Sequence, residues 1–194
     1  MNISSNTLES RRVAIDIPPE QYAESVPADV FKSAFRLHPA GVAVVTADPG
    51  GEPIAMTVSS LASVSTEPPM LVFSASALSS STPALERSAT VVVHMVDNDG
   101  LWLAQLGATS GIDRFADTSA WTRLPTGEPV FPSVHAWLRG RIVQRIEAGN
   151  SVICIAHIIE ASVTGQQRPA TGSSRPLVYH ARTWHHIGAH SELS

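Results

Sequence analysis

The stretch A55-M-T-V-S-S-L-A-S-V-S-T-E-P-P-M70 decides how this 194-residue chain is read. It runs directly into the apolar segment L71-V-F-S-A-S-A77. Small hydroxyls stand where a strand carries bulky apolar groups. Short hydroxyl side chains let a flat ligand approach the main chain, and their O–H groups with nearby backbone N–H groups can bond a polar ring edge or a phosphate. An ordinary Thr/Ser-rich strand with its polar face in water would show the same pattern.

A second hydroxyl cluster, SSSTPALERS at 79–88, follows and opens a predicted helix. Ser80, Ser81 or Thr82 suits the N-cap, Pro83 the first turn, and Glu86 the positive end of the helix dipole. Exposed N–H groups flanked by hydroxyls form an anion site, although a capped helix without a ligand looks alike.

Outward from these clusters the pattern is mostly β. Residues 42–47, 54–64, 70–75 and 90–96 combine β-branched residues with turn punctuation, and the loop 48–51, D-P-G-G, predicts a hairpin. Residues 135–146 and 151–163 flank E-A-G-N at 147–150 as a second hairpin, and 177–180 with 183–187 form a last pair. Helix is expected after Asp29, with Phe31 and Phe35 on one face and Pro39 and Gly41 ending it. A second helical period runs through Leu101, Leu103, Ala104 and Leu106 until Gly107 and Gly111 break it. Residues 121–133, with three prolines, read as loop, as does the Gly/Gln/Arg/Pro/Ser segment 164–176. Many short antiparallel strands with few helices argue for a β-barrel, whose closure removes exposed edges.

Composition narrows the class. The length suits one domain; 43% hydrophobic and 15% charged residues suit a soluble globular protein with an apolar oligomer interface. A net charge of −4 gives no nucleic-acid footprint. The single cysteine, Cys154, lies in an apolar run and fits a small buried side chain in a reducing compartment. The N-terminal residues lack a secretion pattern and the apolar runs are strand-sized, so no membrane association and a cytoplasmic location are expected. Residues 1–27 read as a flexible tail or an arm over a partner subunit, and 188–194 as a C-terminal tail.

Several chemistries find no support. No glycine-rich dinucleotide fingerprint follows a strand, and no G-x-S-x-G elbow is present. His180, His185, His186 and His190 lack the carboxylates, thiolates or helical spacing of a metal set, so no metal is expected.

In order, GVAVVTA (41–47), MTVSS (56–60), SVSTEPP (63–69), SSSTPAL (79–85), GIDRF (111–115), Trp137-Leu138 and PLVYH (176–180) resemble the short-chain flavin reductases. The resemblance spans about residues 28–187. It implies a mainly β, Greek-key, antiparallel FMN-binding split barrel with a few peripheral helices. It implies NAD(P)H-dependent reduction of FMN, or of FAD, by a homodimer, with reduced flavin passing by diffusion to a flavin-dependent monooxygenase. The nicotinamide nucleotide would fold over the flavin in a shared groove.

Carried over residue by residue, Thr57, Val58, Ser59 and Ser60 would line the flavin ring and ribityl chain, with Ala75 and Ser76 on the next strand. Ser80 and Thr82 would hold the phosphate, while Arg114 and Phe115 resemble a flavin-side loop that reaches a neighbouring subunit. His38, Tyr179 and His180 fall on the nicotinamide side, with His180 the residue expected to assist hydride transfer. For His38 a dipole-favoured helix end and for Tyr179 a barrel-rim aromatic are equally good readings. Leu78 stands where many relatives carry a cation, and His94 where asparagine is common, which predicts weaker flavin retention. The alternatives are a split-barrel oxidoreductase using tightly held flavin or deazaflavin, and a non-catalytic flavin or tetrapyrrole carrier.

Overall fold

In the computed structural model, which describes residues 11–163 and 175–192, the stretch 55–70 does not continue as one strand over 54–64. It divides into β4 (Ile54–Val58) and β5 (Ala62–Thr66), and β5 turns through Glu67-Pro68 into β6 (Pro69–Ser76). Thr66 pairs with Pro69, so the Pro-Pro pair shapes a hairpin rather than ending a strand. The break at residues 59–61 is the main departure from the sequence expectation of a single strand over 54–64.

The remaining large strands are β3 (Ala43–Ala47), β7 (Thr90–Met95), β10 (Ala136–Ala148) and β11 (Ser151–Val163). They join in the order β4-β3-β7-β10-β11-β6-β5, and every pair along this path is antiparallel. The path does not close by a ladder. Its two sides meet at a seam where Ser60 Oγ donates to Ser74 O at 3.1 Å and accepts from Ser74 N–H at 2.9 Å. One hydroxyl takes the place of a backbone bridge, giving a split barrel.

β3 is buried along its whole length because it is covered on both faces. Ala43, Val45 and Ala47 enter the barrel interior with Met56, Phe73, Val91, Val93 and Cys154, following the strand period of two. Val44 joins the second core, with Leu103, Ala104, Phe115 and Phe131, under helix α4 (Leu101–Ala108). Gly107 is not the helix breaker that its residue type suggests. It lies inside α4, where a Cβ would stand 2.5 Å from Thr57 Oγ1 and 2.9 Å from Thr57 N, so the helix can approach β4 only with glycine there. Thr57 Oγ1 donates to Ala104 O at 2.6 Å across the same contact.

His94 is fully buried between these layers. Its Nδ1 lies 3.0 Å from Val44 O and Phe131 N–H donates to its Nε2 at 3.0 Å, which fixes a neutral ring with the proton on Nδ1. Burial pushes its pKa down to about 4, against smaller opposing effects of nearby backbone groups. Cys154 is buried as expected, and burial pushes its thiol up to about 11.

The N-terminal segment departs from a simple tail. Residues Arg11–Ile15 form β1, paired in parallel with residues 144–148 of β10, just beyond the 136–141 stretch that pairs with β7. Arg12 secures it with ion pairs to Glu86 and Glu147. A four-residue turn of helix, α1 (Pro19–Tyr22), leads to α2 (Ala28–Arg36). Pro27, not Asp29, is the N-cap of α2; Asp29 lies in the first turn, where the dipole favours an acid. β2 (Ala40–Gly41), β12 (Leu177–His180) and β13 (Thr183–His186) form a small separate sheet.

Two other loops are tighter than expected. Ala148 pairs with Ser151, so the β10–β11 turn is the two residues Gly149-Asn150, with Gly149 at φ 59°. The proline-rich segment 121–133 carries a minimal hairpin, β8 (Thr122–Arg123) with β9 (Pro129–Val130), and delivers Phe131 to the second core. The loop expected at 164–176 lies largely outside the described residues. Among the described residues no helix is long and apolar enough to cross a membrane.

Candidate active site

A groove runs along the seam and widens on either side of it. Ser59, Ser60 and Ser74 border both lobes. The serine lobe, about 520 Å³, is lined by Thr57, Val58, Ser76, Ser79, Ser80, Gly107, Ser110, Arg114 and Ser151 among others. The second lobe, about 740 Å³, lies between the seam, α2 and the β12–β13 turn, and contains His38, Tyr179 and His180.

The expected residues therefore come together in part. Thr57, Val58, Ser59, Ser60, Ser76, Ser80 and Arg114 share the serine lobe, and His38, Tyr179 and His180 share the other. Three do not line either lobe. Ala75 is 1% exposed and points into the barrel, opposite Ser74 and Ser76 on its strand. Thr82, the first residue of α3 (Thr82–Arg87), is buried and donates its hydroxyl to Ser76 O at 2.7 Å. Phe115 belongs to the second core, stacked on Phe131 with ring centroids 5.8 Å apart.

The hydroxyls divide into two kinds. Those of Thr57, Ser60 and Thr82 are engaged with backbone groups and hold α4, the seam and the start of α3. Ser81, the N-cap of α3, is likewise buried and makes no side-chain cap bond. Ser76 and Ser79 accept backbone N–H bonds from Leu78 and Ser81, which leaves their O–H protons for a ligand. Ser59, Ser80 and Ser110 face the lobe with no hydrogen bond among the described residues.

Arg114 is the cation of this lobe, and it is held in place. Its Nε donates to Leu106 O at 3.2 Å and its Nη2 to Thr109 O at 2.5 Å, covering the carbonyls at the C-terminus of α4. Leu78, 87% exposed, does not line the lobe, so Arg114 supplies the positive charge of its lining.

Ser74, Ser79, Ser110, Ser151 and Gly107 also line the serine lobe, beyond the residues the sequence pattern selects. The strand period of β6 puts Ser74 on the face of Ser76, a signal present in the sequence. Ser151 becomes legible only through its register opposite Ser76.

In the second lobe Tyr179 is half-buried against Trp184, centroids 4.8 Å apart, so a barrel-rim packing role is visible for it. His180 lies beside His185, ring centroids 5.9 Å apart. His38 ends the α2 segment and meets Phe35 edge-on at 6.2 Å.

Residues 35–188 match the flavin reductase like domain family. An NADH:FMN oxidoreductase of Rhodococcus qingshengii is 38% identical over 150 residues, 77% of each chain. The reductase component of the 4-nitrophenol 4-monooxygenase/4-nitrocatechol 2-monooxygenase of Rhodococcus opacus is 27% identical over 157 residues, 81% of this chain and 80% of that one. The crystal structure of a flavin reductase domain protein from Arthrobacter sp. FB24 superposes with a TM-score of 0.75 at 31% identity, covering 82% of this chain and 95% of that one. The chain belongs to the flavin reductase like domain family.

Proposed function

We propose that this protein is an NAD(P)H:flavin oxidoreductase that reduces FMN, with FAD as an alternative, and releases it to a flavin-dependent monooxygenase. The observation that carries the reading is the seam groove: free serine hydroxyls and one anchored arginine on one side, a histidine-bearing lobe on the other, meeting at Ser59, Ser60 and Ser74. The serine lobe fits a flavin phosphate and ribityl chain, because its donors are small, numerous and only partly engaged, and Gly107 keeps its floor low. NADH:FMN chemistry is also what the Rhodococcus qingshengii relative is named for.

A bound flavin supplies the hydride acceptance itself. The chain's contribution is position. Ser59 and the 57–60 backbone would orient the flavin ring at the seam; Ser76, Ser79, Ser80 and Arg114 would hold its phosphate end. His180, on the opposite lobe, would hydrogen-bond the reduced nicotinamide and hold its ring against the flavin, a gain in proximity and orientation rather than in covalent chemistry.

We further propose a cytoplasmic homodimer. An apolar recess of about 300 Å³ lined by Leu61, Met70, Leu71, Met95, Leu138 and Ile158, beside the exposed edge strand β5, supports a buried symmetric contact there. Sedimentation showing a fully active monomer would remove this part.

Steady-state NAD(P)H oxidation with and without added FMN tests the main reading. Turnover that requires free flavin supports it. Turnover on retained flavin plus an organic substrate would favour the tightly bound flavin or deazaflavin alternative, and no oxidation under any condition a carrier.

A further inference from the structure

The second lobe carries more positive charge than a nicotinamide ring needs. Lys32 and Arg36 of α2 and Arg182 of the β12–β13 turn line it, and its lining contains no carboxylate, in a chain whose net charge is −4. Among the described residues none of these three side chains forms an ion pair. Beside them Phe31 and Phe35, 55% and 59% exposed, meet at a tilt of 35° with ring centroids 4.6 Å apart and line the same space. Paired aromatics next to clustered cations recognise a base joined to phosphates.

The turn adds an independent sign. Ala181 and Arg182, its two central residues, adopt φ of 50° and 66°, left-handed values that a two-residue hairpin normally fills with Asn-Gly. Ala181 N–H donates to Arg36 O at 3.1 Å, which ties the turn to the end of α2 and brings the two arginines to one rim. A bulky cation stands where the backbone favours glycine.

We propose that Phe31, Phe35, Lys32, Arg36 and Arg182 form a subsite for an adenosine diphosphate group, with adenine on the phenylalanines and the diphosphate on the three cations. This rests on reading the groove as a flavin and nicotinamide site. The group could arrive as the tail of NAD(P)H or as the tail of FAD.

Calorimetric titration of the full-length protein with ADP-ribose tests it, on samples saturated with FMN and, separately, with FAD. Wild type binds ADP-ribose in the FMN-loaded sample, with an affinity that falls as salt rises. Binding that FAD abolishes assigns the subsite to the FAD tail; binding that survives FAD and competes with NADH assigns it to the donor. Arg36→Gln, Arg182→Gln and Phe35→Ala each weaken ADP-ribose about fivefold, and Lys32→Gln with both arginine changes about 100-fold. Arg87→Gln, on an exposed residue facing Glu52 elsewhere, leaves it unchanged.

Arg182→Gly separates recognition from structure: it relieves the turn and raises Tm while it weakens ADP-ribose. No ADP-ribose binding to wild type, or affinities that the charge and phenylalanine variants leave intact, would overturn the subsite. FMN-dependent NADH oxidation by the same preparation is scored separately. If it is present while ADP-ribose fails to bind, only the subsite falls; if it is absent, the flavin reductase reading falls and the titration still decides the subsite.

Discussion

The two lobes of the groove recognise by opposite means. The serine lobe is built from neutral hydroxyls and backbone on barrel strands, with one arginine already tied to helix carbonyls. The second lobe is built from long cationic and aromatic side chains on a helix and a turn at the rim. The first places small donors on a rigid floor and so favours geometry. The second places clustered positive charge around a wide opening, which favours attraction and exchange. An enzyme that releases reduced flavin and takes up a fresh donor at each cycle is served by that division.

The floor of the serine lobe is the most sensitive point of this contrast. Gly107→Ala puts a methyl against Thr57 backbone and hydroxyl, so α4 must move off β4. We expect a loss of about 1–3 kcal/mol in stability by chemical denaturation, with FMN affinity falling in parallel. Unchanged stability would mean that the helix does not define the lobe.

Acid should separate the floor from the rim. The unfolded His94 ring takes up a proton near pH 6.5, whereas the folded ring, held neutral by burial, does so only near pH 4. Its contribution to stability is therefore complete above about pH 6.5 and is lost as pH falls toward 4, roughly 3 kcal/mol across that window. Glu128 and Asp48 lose their stabilisation at lower pH. Burial alone would raise their pKa values; at Glu128 hydrogen bonds led by the Thr126 hydroxyl outweigh it, and at Asp48 those led by Gly50 N–H do so. Denaturation midpoints measured from pH 7.5 to 4.5 should decline in wild type and flatten in His94→Gln.

Thr82 and Ser80 are neighbours with different duties. Thr82→Val removes the bond to Ser76 O and should lower stability by about 1 kcal/mol. It should leave the ratio of FMN to riboflavin affinity unchanged. A changed ratio would return Thr82 to the phosphate set.

How much of this was legible in the sequence depends on whether the signal is local. The β-branched runs at 43–47, 90–95 and 151–163 announce strands because burial on one or both faces requires those side chains along the whole element. The hydroxyl cluster marked part of the serine lobe for a different reason: Ser59 and Ser60, and Ser76, Ser79 and Ser80, lie close together in the chain and line the same space. Gly107 looked like a breaker because its contact with Thr57 is 50 residues away in the chain. The split at 59–61 and the strand at Arg11–Ile15 depend on where β6 and β10 pass. The cationic rim joins Lys32 and Arg36, one helical turn apart on α2, to Arg182, which lies on a distant turn that no local spacing connects to them.

The central claim is that the lobes act separately on flavin and nicotinamide, and stopped-flow reduction of pre-bound FMN across NADH concentrations tests it most directly when run on Ser80→Ala and His180→Ala. Ser80→Ala should weaken FMN about 10-fold but not riboflavin, with the limiting reduction rate kept. His180→Ala should lower that rate, or raise the NADH concentration needed for saturation, about 5- to 150-fold, with FMN affinity kept. Wild-type reduction by His180→Ala, or both variants disturbing flavin binding and hydride transfer alike, would contradict it.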